Sequence, residues 1–389
     1  RAARFLDQHP RPGRLMRFST LAVHAGQQHD PATGAVAPPI HLSTTFERDP
    51  AGVPLGGHTY VRESSPGQSQ LEDALAPLEG GEAALVFASG MAAGVAAIQA
   101  LPPGSHVILP DDAYYGFRLL SKEFLPSWGI TSTVVSMIDP AHVQAAMRPE
   151  TRLLFLETPS NPLLQIVDLA AMIALAREAS VTTLVDNTFA TPALQRPLDL
   201  GADIVLHSTT KYFGGHSDVQ GGALIFRVRD ALHDRVAHVR HLLGAVSSPF
   251  NSWLVLRGIR TLACRMDVHS RSAQRVAESL SQHPAAGVVH YPGLPSHPGH
   301  DIARRQMSAF GGMLSFHVRG GRDAATAAVG RVKLFTRATS LGGVESLIEH
   351  RASSEGPSST TPQDLLRVSI GLEDPDDLIE DLDQALTAR

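Results

Sequence analysis

Lys211 stands after a short apolar run and beside small hydroxyl residues, a setting in which a lysine can do covalent chemistry. The run Ile204–Leu206 predicts a buried strand, and the hydroxyl residues 208–210 fall where that strand would end. A lysine amine at such a position can form an imine with an aldehyde, and neighbouring hydroxyl groups can hold a phosphate. The alternative interpretation is an ordinary surface lysine that follows a strand.

A second β-rich run, Thr182–Val185, ends in Asp186. Open α/β sheets bind ligands beyond the carboxyl ends of their strands, so Lys211 and Asp186 both fall where such a site is expected. Pyridoxal phosphate (PLP) enzymes need this pair, because the lysine holds the cofactor's aldehyde and the carboxylate keeps its pyridine nitrogen protonated. The alternative role for Asp186 is a helix N-cap.

The residues Ser89, Gly90 and Met91 are predicted to open a helix directly after a strand. Free backbone N–H groups and the helix dipole make that end an anion site. We therefore expect a phosphate held by these amides together with Ser208 and Thr210, and the alternative is a plain strand–helix turn. The sequence has no G-x-G-x-x-G or Walker lysine motif, so a dinucleotide or nucleoside triphosphate site is not expected.

Two further side chains extend the predicted site. Tyr114 follows an apolar strand, and its ring could stack on a pyridine ring, the alternative being a buried turn tyrosine. Arg367 lies inside the apolar strand Leu366–Ile370, where an unpaired charge would be costly. A guanidinium fork suits an amino-acid α-carboxylate, and the alternative is a structural salt bridge.

The composition excludes several other classes of function. The 389 residues are 43% hydrophobic and 18% charged, as in soluble globular proteins with a sizeable core. A net charge of −5 with interspersed signs, and no long apolar run, predict neither a nucleic-acid nor a membrane partner. The single cysteine, Cys264, fits a reducing compartment, so we expect a cytoplasmic location. We expect no metal site, because His290, His297 and His300 lack partners at ligand spacing and are predicted to lie in surface loops.

Strand-like and helix-like runs alternate from about Ser69 onward, which predicts an α/β fold with a mostly parallel sheet and helices on both faces. A long helix is expected from about Phe250 to Gln282, followed by a smaller α/β domain. The predicted organisation is a non-native or disordered tail at 1–15, an extended arm at 16–65, a large PLP-binding domain at 66–260 and a small domain at 261–389.

Together these segments resemble the Cys/Met metabolism PLP-dependent enzymes, the family of cystathionine γ-synthase, cystathionine γ-lyase, cystathionine β-lyase and methionine γ-lyase. The resemblance runs from about Ser19 to Leu386. The segments that carry it lie at 36–40, 78–82, 89–93, 157–162, 186–189, 208–212, 340–346 and 369–374.

The resemblance implies a type I PLP-dependent (aspartate aminotransferase-like) fold and a role for each residue of the cofactor site. Lys211 would hold PLP as a Schiff base and carry protons, Asp186 would pair with the pyridine nitrogen, and Tyr114 would stack on the ring. The remaining cofactor-binding residues would be Asn161 near the phenolic oxygen, and Ser89, Gly90, Met91, Ser208 and Thr210 at the phosphate.

The same resemblance implies an assembly and a substrate site. The family commonly forms homotetramers built from two active dimers, in which Tyr60 and Arg62 would reach the phosphate of the neighbouring subunit. Arg367 would bind the carboxylate of the amino-acid substrate, with Ser340 and Asn161 nearby.

The chain departs from the family's pattern at three places. Residues 63–67 stand where relatives commonly carry a Gly/Asn-Pro-Thr turn, which affects the dimer contact. Thr339 precedes Ser340 where many γ-processing relatives carry glutamate, and the segment 351–363 is shorter than in many relatives. The last two departures lie where substrate selection is expected.

The resemblance implies γ-elimination or γ-replacement on cystathionine or O-acyl-homoserine amino acids, as in cystathionine γ-lyase or γ-synthase. Cystathionine β-lyase is the alternative. Methionine γ-lyase ranks lower, because Gly116 stands where that enzyme commonly carries cysteine. A non-catalytic PLP-fold binding protein is a remote alternative, because it would have lost the lysine or the arginine.

Overall fold

The computed structural model describes residues 16–387 of the chain except residues 28, 31 and 358. Its helices are α1 (Phe18–His24), α2 (Pro66–Glu79), α3 (Gly90–Gln99), α4 (Tyr115–Glu123), α5 (Pro140–Ala146), α6 (Leu169–Glu178), α7 (Thr191–Leu194), α8 (Ala231–Leu243), α9 (Pro249–Ile259), α10 (Leu262–Gln282), α11 (His300–Gln306), α12 (Gly321–Arg331), α13 (Arg351–Glu355) and α14 (Pro375–Thr387), with a 3-10 turn at Leu125–Trp128. Its strands are β1 (Ala83–Phe87), β2 (His106–Pro110), β3 (Thr131–Val135), β4 (Thr151–Glu157), β5 (Thr182–Asp186), β6 (Ile204–His207), β7 (Gly222–Phe226), β8 (Ala286–His290), β9 (Met313–Val318), β10 (Thr336–Arg337), β11 (Leu347–His350) and β12 (Leu365–Ser369).

The chain forms two compact units, and the first comprises the described parts of Arg1–Pro102, Arg196–Gly214 and Asp218–Ala263. In this unit β7 pairs antiparallel with both β1 and β6, and all its side chains are buried. Helix α2 packs against β1 and α9. It begins after Ser65, whose side chain accepts from the Gln68 N–H, and it ends at Gly80, whose φ of 82° suits glycine.

The second unit comprises Pro103–Gln195, Gly215–Ser217 and the described part of Cys264–Arg389. It contains four parallel strands in the order β5-β4-β2-β3. Strands β2 and β5 are almost wholly buried, as expected for parallel strands covered on both faces, whereas β3 is partly exposed at the edge. The polar ends of these strands, including Glu157 and Asp186, therefore come together at one edge of the sheet.

The second unit also contains a five-stranded sheet in the order β10-β11-β12-β9-β8, antiparallel except for the β10–β11 pair. Alternate side chains of β9, namely Leu314, Phe316 and Val318, enter a core with apolar residues of α10, α12 and α14. The α/β fold class predicted from the alternating pattern is therefore confirmed. The expected short tail at 1–15 lies outside the described residues.

The predicted single helix over 250–282 is wrong in detail, because the chain forms α9 and α10 with a break at Arg260 and Thr261. The Thr261 N–H donates to the Gly258 carbonyl, which turns the chain between the helices. A Cβ at Gly258 would lie 2.3 Å from the carbonyl oxygen of Phe213, so the end of α9 is packed directly on backbone. The spacing of apolar residues continues through the break, so the sequence pattern does not reveal this tertiary contact.

The prediction that three histidines lie in surface loops is also wrong. His290 ends β8 and is half-buried, and His297 is buried, with its Nδ1 accepting from the Gly299 N–H at 3.0 Å. His300 begins α11, and its Nδ1 lies 2.8 Å from the Pro292 carbonyl oxygen. The rings of His297 and His300 satisfy backbone groups, whereas the His290 Nε2 lies 3.1 Å from the His317 Nε2.

Within the described ranges, no helix is both long and apolar enough to cross a membrane. The same part of the chain brings no three potential metal ligands of the His, Cys, Asp or Glu type together.

Candidate active site

The predicted phosphate-binding residues of the first unit lie at the start of α3. Ser89 is the N-cap, and its Oγ accepts from the Ala92 N–H at 3.1 Å. A Cβ at Gly90 would lie 2.9 Å from the Cβ of Ser208, so Ser208 is in contact with the first turn of the helix. The structure thus brings the amides of Gly90 and Met91 and the Ser208 side chain to one place, where an anion is favoured.

Lys211 lies in a tight turn after β6, the position that the sequence predicts. Its N–H donates to the Ser208 carbonyl at 3.2 Å, and its side chain is half-buried. The Thr210 Oγ1 donates to the Gly221 carbonyl at 3.2 Å and accepts from the Gly221 N–H at 3.0 Å. Thr210 therefore fixes the chain on either side of the lysine turn, and its predicted contact with phosphate stays a prediction.

A second glycine lies at the predicted phosphate site, which we call the cradle: the start of α3 with Ser208 and Gly222. A Cβ at Gly222, the first residue of β7, would lie only 2.1 Å from the Ser89 carbonyl oxygen. Only glycine lets the strand approach the helix start this closely. Backbone amides, small hydroxyl groups and a lysine in this arrangement fit a phosphate-bearing aldehyde.

Tyr60 and Arg62, also in the first unit, are exposed. The Arg62 Cζ lies 5.7 Å from the centroid of the Tyr60 ring, and its Nη1 donates to the His241 carbonyl at 3.2 Å, near the end of α8. The Tyr60–Arg62 pair is therefore held as one exposed feature. The predicted contact with a neighbouring subunit stays a prediction.

In the second unit, three acidic side chains gather near the carboxyl ends of parallel strands. Asp186 ends β5 and lies beside Glu157, which ends β4, while Asp112 follows β2. Asp186 accepts from the Thr188 N–H at 3.0 Å and caps no helix, so the N-cap alternative is wrong. Asp112 accepts from the Ser160 hydroxyl and from the Leu163 N–H.

The pKa values of two of these acidic groups, Glu157 and Asp112, are raised. Burial raises the pKa of Glu157 well above its ordinary value, and the nearby charges of Asp186 and Asp112 raise it further. Burial likewise raises the pKa of Asp112 to about 6. Glu157 was not predicted as a site residue, because its role depends on its neighbours in the sheet. The signal in the sequence was a glutamate that ends an apolar strand.

Tyr114 is positioned by this acidic cluster. Its N–H donates to the Glu157 Oε2 at 2.7 Å, and helix α4 begins at the next residue. The Tyr114 side chain is 41% exposed and makes an edge contact with Phe117 at 6.4 Å between ring centroids. The alternative of a buried turn tyrosine is therefore wrong, and the predicted stacking on a cofactor ring stays a prediction.

The three predicted substrate-binding residues are brought together around Arg367. Its Nη1 donates to the Asn161 Oδ1 at 2.9 Å, and its Nη2 donates to the Ser340 carbonyl at 3.0 Å. Ser340 has a φ of 92°, a conformation that is rare outside glycine and that presents its carbonyl to the arginine. Burial lowers the pKa of Arg367 to about 10, which leaves the guanidinium charged at neutral pH.

Arg367 also pairs with the buried Glu349, so the predicted salt bridge exists beside the proposed carboxylate contact. Glu349 pairs in turn with Arg351 at 3.3 Å. These residues belong to a connected arginine network, consisting of Arg118, Glu349, Arg351, Glu355 and Arg367. The sequence pattern did not indicate Glu349, Arg351 or Glu355, because these charged residues follow no periodic spacing.

This fold and these sites define a class of PLP-dependent enzyme. The model of the Cys/Met metabolism PLP-dependent enzyme family matches residues 19–387, and the chain belongs to that family. PLP is accordingly its cofactor, as the lysine and aspartate predicted. The resemblance seen in the sequence is confirmed.

Individual relatives cover almost the whole chain. The chain is 52% identical to the cystathionine γ-synthase of Mycobacterium tuberculosis over 375 residues, 95% of this chain and 96% of that protein. It is 43% identical to the cystathionine γ-lyase of Bacillus subtilis (95% and 99% covered). It is 42% identical to the cystathionine β-lyase of Coxiella burnetii (95% and 97% covered).

The crystal structure of metB from Corynebacterium glutamicum superposes with a TM-score of 0.93 at 42% identity, covering 95% of this chain and 98% of that one. The predicted type I PLP fold is therefore confirmed as the fold of this chain.

Proposed function

We propose that the chain catalyses γ-replacement on an O-acyl-homoserine with cysteine, which yields cystathionine. The observation that carries this proposal is the buried Arg367, held by Asn161 and Ser340 as a receptor for an amino-acid carboxylate. The 52% identity to a protein named cystathionine γ-synthase favours replacement as the reaction. γ-Elimination of cystathionine is the second candidate, favoured by the relative named cystathionine γ-lyase.

The predicted cofactor-binding residues have the side-chain chemistry that PLP needs. Lys211 would hold its aldehyde, Asp186 its pyridine nitrogen and Tyr114 a face of its ring. The phosphate would lie against the amides of Gly90 and Met91, with Ser208 and Thr210. When bound, PLP supplies an electron sink that stabilises negative charge on the substrate carbon.

The protein's own residues would supply orientation and proton transfer. Arg367 would fix the substrate carboxylate, with Asn161 and Ser340 keeping the guanidinium in place. The Lys211 amine would remove the Cα proton, pass that proton on, and then, as a free amine again, remove a proton from Cβ. The Cγ substituent then leaves as a carboxylate or thiolate, and the cysteine thiolate adds at Cγ before Lys211 returns the protons.

We propose that the active form is a homotetramer in which the arm at 16–65 contacts a neighbouring subunit. Five large apolar side chains of the arm are at least 40% exposed, which a protein contact would cover. They are Val36, Ile40, Leu42, Val53 and Leu55. A cytoplasmic location is proposed with it, since the one cysteine fits a reducing compartment.

The proposal is tested by supplying the PLP-loaded protein with O-succinyl-L-homoserine and L-cysteine and identifying the products by mass spectrometry. We expect cystathionine and succinate. The Lys211→Ala variant should lack both the turnover and the visible absorbance that PLP acquires on a lysine. Release of 2-oxobutyrate without cystathionine would favour the γ-lyase instead, and pyruvate with homocysteine from cystathionine would favour the β-lyase.

A further inference from the structure

Glu355 is a buried carboxylate with every acceptor position used. Its Oε1 accepts from the Arg118 Nη2 and from the Arg351 Nε, both at 3.1 Å. Its Oε2 accepts from the hydroxyl groups of Ser359 at 2.7 Å and Thr361 at 2.9 Å. Burial opposes the charged form, yet the two hydroxyl groups and the two guanidinium groups lower the pKa of Glu355. It is therefore a charged hub in the second unit.

The contacts of this hub lead toward two of the predicted ligand-contacting residues of the unit, Tyr114 and Arg367. Arg118 lies on α4, the helix that begins directly after Tyr114. On the other side, Arg351 pairs with Glu349, and Glu349 pairs with Arg367. Glu355 thus connects the helix that follows the ring-stacking residue with the arginine that receives the carboxylate.

The arginine network is unbalanced in charge. It contains three guanidinium groups and two carboxylates, so it carries one excess positive charge. A substrate carboxylate at Arg367 would neutralise that excess. If Glu355 lost its charge, two guanidinium groups, those of Arg118 and Arg351, would each lose a charged partner in a buried setting. Arg351 would then pair with Glu349 alone.

We propose that Glu355 is a positioning residue for substrate binding. Glu355 holds Arg351 in place, and Arg351 in turn keeps Glu349 against one side of Arg367. The guanidinium group of Arg367 is thereby aligned for the substrate's α-carboxylate. Glu355 acts through other residues and touches no reacting atom. This inference rests on the proposed function, because it assumes that Arg367 receives an amino-acid carboxylate.

The test compares the wild type with Glu355→Gln, both loaded with PLP. The probe is L-norleucine, an amino acid without a leaving group, whose dissociation constant is measured by calorimetry beside kcat and KM for the homoserine ester. We expect the dissociation constant and KM to rise about tenfold and kcat to stay within about twofold, because aligned binding is lost rather than transition-state stabilisation. The PLP absorbance should be unchanged.

The matched control is Asp364→Asn, which removes a nearby carboxylate that pairs with His317 outside the network. It should bind L-norleucine as the wild type does. Should Glu355→Gln fail to fold, Arg351→Gln offers the same test, with a several-fold weaker affinity for L-norleucine expected. Equal affinities in the wild type and the variant would overturn the inference, as would a lower kcat at constant KM. A wild type that does not load PLP or bind L-norleucine would instead refute the proposed function.

Discussion

At the scale of single residues, the acidic cluster at the strand ends decides where charge can reside. Asp112, Glu157 and Asp186 are all at least nine-tenths buried. Buried carboxylates that lie close together disfavour one another's charged forms. Burial and the nearby charges of Asp186 and Asp112 raise the pKa of Glu157, so this group keeps its proton to a higher pH than an exposed glutamate does.

The first prediction concerns Glu157→Gln, which replaces a titratable acid with a neutral group of the same shape. A folded-state pKa above the unfolded value of 4.5 means that the native protein binds more protons, so stability falls as pH rises from 4.5 to the folded pKa. Within that pH range, we expect the free energy of unfolding of the variant to rise relative to that of the wild type, by up to about 1.4 kcal/mol for each pH unit. Urea unfolding of the apoprotein at pH 5 and pH 8 measures the difference.

The control is Glu150→Gln, because Glu150 is exposed. Its stability should lie close to that of the wild type, as for most substitutions of exposed side chains. A stability difference between Glu157→Gln and the wild type that is the same at pH 5 and at pH 8 would contradict a raised pKa of Glu157.

The chemistry of the site was readable from sequence where it follows from strand ends. Lys211 and Asp186 each follow an apolar run, and the structure places both at strand ends. Glu157 was missed, because its partner is the backbone N–H of Tyr114, 43 positions away. Burial and pairing with distant residues change the charge of a side chain. The local sequence pattern reveals neither of them.

At the scale of elements, helix α14 is tied to the loop after α12 by one carboxylate. Asp381 accepts from the backbone N–H groups of Lys333, Leu334 and Phe335, at distances of 2.8 to 3.2 Å. These hydrogen bonds give partners to the backbone N–H groups that follow the end of α12. They hold this loop against the buried face of α14. Burial opposes the charge of Asp381, but the three N–H groups hold its pKa below the ordinary 3.8.

The second prediction is that Asp381→Asn lowers the free energy of unfolding by about 2 kcal/mol at pH 7, because charge-assisted bonds are lost. A lowered folded pKa gives stability that is present above pH 3.8 and is lost as pH falls through the folded value. The loss should therefore shrink toward pH 3. Chemical denaturation at both pH values measures it, with the exposed Asp383→Asn on the same helix as control. An equal loss for both variants would contradict this account.

The third prediction concerns the contact between β7 and the start of α3. Gly222→Ala would place a Cβ 2.1 Å from the backbone oxygen of Ser89, so the strand and the helix start must separate. We expect a loss of about 2 kcal/mol in stability and a weaker affinity for PLP, measured by absorbance titration of the apoprotein. Gly56→Ala is the control, because nothing lies within 4 Å of its Cβ position. Unchanged PLP affinity in Gly222→Ala would show that the cradle does not depend on this contact.

The elements that could be predicted are those with long periodic or continuous apolar patterns. The strands predicted at Thr182–Val185 and Ile204–Leu206, and the helix predicted to open at 89–91, match β5, β6 and α3 closely. Strand β11 and helix α13 were missed, because Glu349, Arg351 and Glu355 break the apolar pattern. These charges are tolerated inside because they pair with one another, which only the folded structure shows.

At the scale of the whole molecule, the family, the fold and the cofactor agree with what the sequence predicted. The domain boundaries at 66–260 and 261–389 stay a prediction, as do the tetramer and the contact of Tyr60 and Arg62 with a neighbouring subunit. Relatives named γ-synthase, γ-lyase and β-lyase share most of this chain's length. The choice among these reactions therefore depends on where protons are moved and on whether a thiol or water enters the site, rather than on the fold.

The most direct measurement is proton exchange on L-norleucine by the PLP-loaded protein in D₂O, followed by proton NMR. Chemistry at Cγ requires that protons leave both Cα and Cβ, whereas chemistry at Cβ requires only the first. We predict that the Cα and Cβ signals both disappear, and that neither does with Lys211→Ala. Exchange at Cα alone would contradict the proposed action at Cγ and would support a β-lyase.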